Sequence, residues 1–408
     1  MKIGIVQFPG SNCERETIMA VKRAGMQPVE IFWNAEAAVI SDCQGYVIVG
    51  GFSYQDRIRS GVIAAKSAIM QLLATENDQH GKPILGLCNG AQILVESGLV
   101  PGLPGSPLSM ALYDNQTAHS HQCGFYNDHI NLKPLHHQQH HAFTNQFLEG
   151  ETIDIPYAHA QGRFTLPKSL LNAMIEAQLP LFQYQQCNPN GSDFDLAAVT
   201  NFAGNVMAMM PHPERITNGD KIFFSMRNYI EQGCPIKLNT DAVKSVRPQF
   251  SQISEWHRKE DVQTLLIGSV IEDNTATSLQ LFLKQQGYDV KVSRFGFWQW
   301  QSNSETEQFI TELEQTGEIY NQNKEFVLMP EQLQKNSLRR LVVDKEPLKA
   351  KGVSERLQKY FEIDLTDLSC GELFTFEAPD SQLLLAVDDF LVSQQLLFNP
   401  YVQDCYVY

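Results

Sequence analysis

The stretch GLCNG at residues 86–90 places a cysteine between two glycines, where a buried apolar run gives way to a helical pattern. A sharp turn between a strand and a helix forces strained backbone angles on its central residue, and flanking glycines let the turn pack closely. The amides at the start of the following helix would favour the thiolate. Cys88 is therefore a candidate nucleophile, with a buried free cysteine as the structural alternative.

A thiol nucleophile needs a base, and the base can lie far away in the sequence. Of the eleven histidines, His212 is the best placed, because it follows the apolar run NVMAMM and stands between two prolines. Glu214, two residues later, could hold the imidazole in the required tautomer. The sequence thus predicts a Cys88-His212-Glu214 triad, although His212 by itself would fit an ordinary surface turn.

Gly50 and Gly51 end another apolar run, GYVIVGG. Backbone amides at such a turn could bind the oxyanion of a tetrahedral intermediate. We predict that the amides of Gly51 and Asn89 form this oxyanion hole. A pair of glycines is also typical of a plain tight turn.

Apolar runs alternate with helical patterns through the first half of the chain. Near-continuous β-branched runs between helices predict an α/β fold with a parallel sheet covered on both faces. The predicted helices are ETIMAVKRAG, GVIAAKSAIMQLLA and KIFFSMRNYIEQG. The predicted strands are KIGIVQF, PVEIFW, GYVIVGG, KPILGL, YAHAQGRF, DLAAVTNF and NVMAMM.

Composition narrows the class of protein. A length of 408 residues predicts two or three domains, and a net charge of -15 argues against a nucleic-acid surface. The sequence has no run of about 18 apolar residues, so we expect no membrane span. The start MKIGIVQFPG indicates a first strand rather than a signal peptide. Eight scattered cysteines without a CxxC pair fit a reducing cytoplasm.

The pattern changes near residue 234, where a polar, proline-containing stretch begins. We predict a catalytic domain over residues 1–235, a linker over 236–260 and a second domain over 261–408. The second domain shows two successive segments of strand, helix, strand, helix and strand, which suggests a duplication.

The glycine pair, the cysteine turn and the histidine turn, in this order, resemble class I glutamine amidotransferases. VQFPGSNCERE, GGFSYQDRIRSGVIAA and GNVMAMMPHPER resemble more narrowly the PurQ family, the glutaminase subunits of formylglycinamide ribonucleotide (FGAR) amidotransferase. The resemblance implies a flavodoxin-like parallel sheet and attack of Cys88 on glutamine, with ammonia released through His212. It implies glutamine binding by Gln92 and Phe52, and we assign Cys13 no catalytic role.

Three departures from the PurQ pattern concern the surroundings of the triad. Gln55 stands where the family has glycine in GGFSYGD, and residues 158–162 read AHAQG where the family has AHGEG. Residues 105–133 lack the expected arginine-rich strand. These departures bear on docking and on coupling to a partner.

The C-terminal half resembles a covalently joined pair of PurS subunits. LKQQGYDVKVSRFGFW resembles the middle of that small protein and LLFNPYVQDCYVY its end. The resemblance implies an α+β tandem domain that docks a synthetase. An unrelated α+β appendage for oligomerisation is the alternative.

The predicted function is therefore that of a cytoplasmic glutaminase subunit in purine biosynthesis, which passes ammonia to a separate synthetase. The sequence lacks a GxxxxGK[ST] phosphate loop, so we expect no cofactor in this chain, and ATP and Mg²⁺ on a PurL-like partner. The histidine run at His136–His141 fits a surface loop, and we predict no metal site. The alternatives are an idle scaffold that docks the synthetase and an amidotransferase with another acceptor.

Overall fold

A computed structural model describes most of the chain, as two compact units that are treated separately below. Among the described residues, one unit ends at residue 235 and the other begins at residue 253. The predicted linker lies largely outside the described residues, and the predicted domain boundaries stay a prediction. The described ranges are 1–103, 108–116, 124–135, 141–235, 253–257, 262–301, 307–334 and 336–408.

The first unit alternates strands and helices, as predicted. Its strands are β1 Lys2–Gln7, β2 Gln27–Phe32, β3 Gly45–Ile48, β4 Ile84–Leu87, β5 Ala111–Tyr113, β6 Tyr126–Pro134, β7 Ile153–His159, β8 Arg163–Thr165, β9 Pro180–Tyr184, β10 Leu196–Thr200 and β11 Val206–Met209. Its helices are α1 Glu14–Arg23, α2 Ala37–Ser41, α3 Val62–Ala65, α4 Ala68–His80, α5 Asn89–Glu96, α6 Lys168–Glu176 and α7 Asp220–Glu231.

The central sheet runs in the order β2-β1-β3-β4-β11-β10-β9-β6-β7. The prediction of a parallel sheet is confirmed from β2 to β11, where every neighbouring pair is parallel. It is wrong beyond β11, where the pairs are antiparallel. Residues 201–205 between β10 and β11 are too few for a parallel crossover, so these two strands form a hairpin.

Both faces of this sheet are buried, because successive side chains of its strands enter two different cores. On β1, Ile3 and Ile5 pack on one face and Val6 on the other. On β4, Leu85 and Leu87 share the face of Ile3, while Ile84 lies opposite. Burial on both faces explains why these strands lack a polar alternation in the sequence.

One predicted helix is divided in the structure. GVIAAKSAIMQLLA forms α3 and α4, and Ser67 between them has an extended backbone. The Ser67 hydroxyl donates a 2.5 Å hydrogen bond to the carbonyl of Ala64. A serine hydroxyl that binds the backbone in this way competes with continued helix, so a single helix was the wrong prediction here.

The second unit has the predicted succession of elements twice. The first segment comprises β13 Val262–Ser269, α8 Asn274–Gln285, β14 Lys291–Gln301, α9 Glu307–Gln315 and β15 Glu325–Leu328. The second comprises β16 Leu338–Asp344, α10 Leu348–Phe361, β17 Thr366–Glu377, α11 Ser381–Ser393 and β18 Gln403–Val407. A short strand, β12 Ser254–Glu255, precedes both and lies within the range predicted as linker.

The two segments take equivalent places in one sheet, of order β12-β18-β16-β17-β14-β13-β15. In each segment the first strand lies between the other two, and β14 pairs with β17 at the centre. Pairs within each segment are antiparallel. The shared order supports the predicted duplication and makes this unit an α+β fold.

Over the ranges that the structure describes, no helix is both long and apolar enough to cross a membrane.

The loop after β3 contains consecutive non-glycine residues in the left-handed region, with φ of 50° at Tyr54, 58° at Gln55 and 54° at Asp56. This conformation costs an L-residue about 1–2 kcal/mol and glycine almost nothing. We therefore expect Gln55→Gly to raise the free energy of unfolding by about 1 kcal/mol in urea titrations. Gln71→Gly, on the exposed side of α4, should lower it by a similar amount. Equal effects of the two substitutions would contradict this account.

Candidate active site

The order of the parallel strands brings the predicted site residues to one edge of the sheet. β1, β3, β4 and β11 are neighbours and run in the same direction, so their carboxyl ends meet. Ligand sites of open α/β sheets lie at this edge. Cys13, Gly51, Cys88 and His212 all come within a few residues of these strand ends.

Cys88 occupies a strained turn between β4 and α5. Its φ of 51° and ψ of -106° lie outside the ordinary regions, a conformation that costs about 1–3 kcal/mol and is concentrated at functional sites. Its amide donates a 2.8 Å hydrogen bond to the carbonyl of Met209 on β11. A Cβ on Gly90 would lie 2.1 Å from the Ile48 carbonyl oxygen, and one on Gly86 would lie 2.4 Å from that of Gly90. Both glycines are therefore needed for space, as the sequence predicted.

His212 and Glu214 form a buried pair beyond β11. The Nδ1 atom of His212 lies 2.7 Å from Oε1 of Glu214, and each residue is only 1% exposed. Because the Glu214 carboxylate can only accept a hydrogen bond, Nδ1 carries the proton, and Nε2 is left for proton exchange. The His212 amide donates to the Pro156 carbonyl at 2.8 Å, which fixes the turn.

The charge state of His212 depends on its neighbours. Burial favours the neutral ring, but the Glu214 carboxylate and the sulfurs of Cys88 and Cys13 outweigh it, and the pKa of His212 is raised well above its ordinary value. The folded protein therefore stabilises an imidazolium beside the Cys88 sulfur. Such a histidine can serve first as a proton donor.

Gly50 is the point around which the reactive groups are arranged. A Cβ at this position would lie 3.1 Å from the Cys13 sulfur, 3.2 Å from Cε1 of His212 and 3.5 Å from Cβ of Cys88. These three residues therefore lie around a position that only glycine can occupy without crowding them. Its φ is not left-handed, so the requirement for glycine here is one of space.

The backbone amides of Gly51 and Asn89 are available to a ligand. Asn89 is the first residue of α5, where a helix leaves its amides without internal partners. Gly51 lies in a bridge with Ser11 in which the neighbouring residues, not Gly51, form the hydrogen bonds. Within the described part of the chain neither amide donates a hydrogen bond. Their assignment as an oxyanion hole stays a prediction.

A cavity of about 480 Å³ opens above the cysteine. Gly51, Phe52, Cys88, Gln92 and His212 line it, so the structure brings most of the predicted site residues together. Phe52 is 45% exposed and packs against Phe125, with ring centroids 6.4 Å apart. The sequence analysis missed the further lining residues Asn12, Asp56, Ser60, Asp114, Gln161 and Arg215.

The side chain of Gln92 belongs to a network in the cavity wall. Its Nε2 donates to the Gln161 carbonyl at 2.7 Å, and its Oε1 accepts from Asn89 Nδ2 at 2.9 Å. Gln161 in turn donates from Nε2 to Asp114 at 2.8 Å and accepts a hydrogen bond from Ser60. The described contacts thus use both polar ends of the Gln92 amide. Its predicted binding of glutamine is not tested by them.

Cys13, to which the sequence analysis assigns no catalytic role, lies close to His212. Its sulfur donates to Asn12 Oδ1 at 3.2 Å and accepts from Arg215 Nη2 at 3.3 Å. Ligand atoms of Cys13, His212 and Glu214 lie within 4.8 Å of one another, the spacing of a metal site. The Arg215 guanidinium already places a positive charge on this sulfur, which opposes a bound cation. The sequence analysis placed Cys13 in a family motif without a catalytic role, and its contact with Arg215 is visible only in the structure.

The segment AHAQG does not continue its strand. β7 ends at His159, whose Nδ1 lies 3.1 Å from Asn115 Oδ1, and the amide of Gly162 donates to the same oxygen at 3.1 Å. The prediction of one strand through YAHAQGRF is therefore wrong, because Asn115 holds a turn between β7 and β8. Burial and the nearby His212 lower the pKa of His159 to about 3.

The histidine run lies mostly outside the described residues. Residues 136–140 are among those that the structure does not describe, and His141 is buried at 2% exposure. The prediction that no metal binds there stays a prediction.

Comparison with known proteins gives the class. Residues 1–233 match the family described as the CobB/CobQ-like glutamine amidotransferase domain. The match spans more than half of the chain, which therefore belongs to this family of glutamine amidotransferases.

Individual relatives are named more narrowly. The chain is 38% identical over 264 residues to phosphoribosylformylglycinamidine synthase subunit PurQ of Methanothrix thermoacetophila, covering 57% of this chain and 99% of that protein. It is 37% identical to the PurQ subunit of Pyrococcus furiosus, covering 56% and 99%. Among solved structures, PurLQS from Thermotoga maritima is 32% identical, covering 56% of this chain and 98% of that chain, with a TM-score of 0.47.

The first prediction from the site concerns the charge of His212. Glu214→Gln removes the carboxylate beside Nδ1, so we expect the pKa of His212 to fall. NMR titration of the Cε1 resonance would measure it. Glu231→Gln, on the exposed surface of α7, removes the same charge and should leave this pKa unchanged. An unaltered titration in Glu214→Gln would contradict the account of the raised pKa.

The second prediction concerns acid stability. His159 is neutral in the folded protein down to about pH 3, whereas an unfolded histidine binds a proton near 6.5. Between these values the unfolded state binds more protons, so this residue removes up to ~1.4 kcal/mol of stability for each pH unit of acidification. His159→Gln should weaken the decline in unfolding free energy between pH 6.5 and pH 4, and His80→Gln, at the exposed end of α4, should not. Parallel curves for wild type and His159→Gln would refute the prediction.

Proposed function

We propose that this chain is the glutaminase subunit of a phosphoribosylformylglycinamidine synthase. The observation that carries the proposal is the meeting of Cys88, His212 and Gly51 at one cavity. Glu214 bonds His212 from behind, and the amide of Asn89, which donates no described hydrogen bond, directly follows Cys88. The named PurQ relatives give the acceptor reaction. A protein that only docked a synthetase would have no need of all these groups together.

In the proposed reaction, the Cys88 sulfur attacks the side-chain carbonyl carbon of glutamine. The carbonyl oxygen becomes an oxyanion that accepts hydrogen bonds from the amides of Gly51 and Asn89. When the tetrahedral intermediate collapses, the C–N bond breaks and the imidazolium of His212 gives its proton to the departing nitrogen. The products of this half are ammonia and a glutamyl thioester on Cys88.

The second half uses the same groups in the reverse order. Neutral His212 takes a proton from water, and the resulting hydroxide attacks the thioester carbonyl. The C–S bond breaks, which releases glutamate and returns the sulfur and the imidazolium to their starting state. Glu214 keeps Nδ1 protonated throughout, so Nε2 alone exchanges protons.

Ammonia would then serve a separate chain. The relatives are named as synthase subunits, which favours a partner synthetase that binds FGAR, ATP and Mg²⁺. That partner would form formylglycinamidine ribonucleotide, ADP and phosphate. We further propose that the duplicated second unit is the PurS-like domain that docks this synthetase, on the basis of the sequence resemblance and its repeated strand order.

Glutamate release by the purified full-length chain tests the proposal. It should be measured alone and with the cognate synthetase, ATP and FGAR. We expect Cys88→Ser to lower the rate by about 10³-fold or more, because the nucleophile is lost. Cys187→Ser, at an exposed free cysteine, should keep the wild-type rate. Absence of glutamate in both conditions, with the synthetase still bound, would favour the scaffold instead.

A further inference from the structure

Asp56 is a charged residue of the cavity that the proposed chemistry does not use. It is half-buried in the loop after β3 and lines the cavity together with Cys88. Its Oδ1 accepts a 3.3 Å hydrogen bond from Asn89 Nδ2. Since Asn89 follows Cys88 directly, this carboxylate contacts the side chain of the residue next to the nucleophile.

The neutral side chains of Asn89 and Ser60 hydrogen-bond the Asp56 carboxylate, and no cation pairs with it over the described ranges. The nearest arginines in sequence contact other groups, since Arg57 donates to Gln55 at 2.7 Å and Arg59 to Glu96 at 2.6 Å. Burial raises the pKa of Asp56 to about 6. A carboxylate removed from water without a cation is costly unless a ligand provides one.

The other polar groups of the cavity also have partners within its wall. Asp114, the second carboxylate, accepts a 2.8 Å hydrogen bond from Gln161. Gln92 uses both ends of its amide within the wall. Asp56 and Asp114 are therefore the two carboxylates of the cavity lining, and Asp56 is the one bonded to the residue that follows Cys88.

The backbone conformation also points to a ligand role. Tyr54, Gln55 and Asp56 adopt left-handed angles in succession, and tyrosine and glutamine, unlike aspartate, rarely adopt them. The fold holds Asp56 beside the cavity at a cost in backbone strain. Strain of this kind is concentrated at sites that bind ligands.

We propose that Asp56 binds the α-ammonium group of the amino-acid substrate and so selects substrates that have this group. The inference rests on the proposed glutaminase function and adds a specificity-determining residue to it. In glutamine the ammonium nitrogen is four bonds from the carbon that Cys88 attacks. Asn89 links the ammonium site to the attacked carbon. In the proposed reaction its backbone amide binds the oxyanion, and its side chain donates a hydrogen bond to Asp56.

The test compares two reagents that alkylate Cys88 in the full-length chain. 6-Diazo-5-oxo-L-norleucine has the ammonium and carboxylate groups of glutamine, whereas iodoacetamide has neither. Mass spectrometry of the peptide containing Cys88 would follow both reactions. We expect Asp56→Asn to slow labelling by the first reagent about 10- to 100-fold, because a charge-assisted hydrogen bond is lost. Labelling by iodoacetamide should change by less than about twofold.

Matched variants separate recognition from folding. Asp78→Asn removes the same charge from the exposed face of α4 and should label like wild type with both reagents. Asp56→Glu keeps the charge and should retain part of the preference for the glutamine analogue. Equal slowing of both reagents by Asp56→Asn, or no slowing of either, would overturn the proposal.

A substrate comparison distinguishes this proposal from the proposed function. Glutaramate is glutamine without its α-amine, and wild-type chain with its synthetase should prefer glutamine strongly in kcat/KM. Asp56→Asn should reduce that preference by about 10- to 100-fold, mainly through the KM for glutamine. Ammonium-selective labelling of Cys88 without any glutamate release would reject the glutaminase function alone. Glutamate release with an unchanged preference in Asp56→Asn would reject the role of Asp56 alone.

Discussion

The first unit depends on the close approach of helix α5 to strand β3. A Cβ on Gly90 would lie 2.1 Å from the carbonyl oxygen of Ile48, a distance that no side chain tolerates. With glycine there, the helix can start directly above the sheet, immediately after Cys88 with its φ of 51°. The same contact places Asn89, whose side chain donates hydrogen bonds to Asp56 and Gln92.

The remaining site residues are positioned by strand order, which the sequence predicts only in part. Apolar runs identified β1, β3, β4 and β11, but their adjacency includes the pairing of β4 with β11, which lie more than 100 residues apart. The order of the motifs along the chain indicated that Cys88, His212 and Glu214 belong to one site. Cys13 and Asp56 lie in two of the quoted motifs, but their contacts with Arg215 and Asn89 became visible only in the structure. Gln55 was noticed as an unusual residue, while its left-handed φ became visible only in the structure.

The incorrect fold predictions have a common physical cause. Hydrophobic periodicity reports burial, and it does not report the direction of a strand or the side-chain contacts that interrupt an element. Ser67 divides a helix by bonding to Ala64, and Asn115 closes a turn after His159. The hairpin of β10 and β11 follows from its five connecting residues, a constraint that chain length alone provides. In the second unit the succession of elements was predictable, whereas the pairing of β14 with β17 was not.

The repeated strand order of the second unit affects how its sequence can change. In a dimer of identical subunits, every substitution occurs twice, so a harmful change on one copy cannot be avoided on the other. Two repeats joined in one chain are free of this coupling. At one end of the sheet β12 pairs with β18, whereas at the other end no described strand lies beyond β15. The two ends of the sheet therefore already differ. The halves can therefore specialise independently, one conserving an inherited surface while the other acquires a new one.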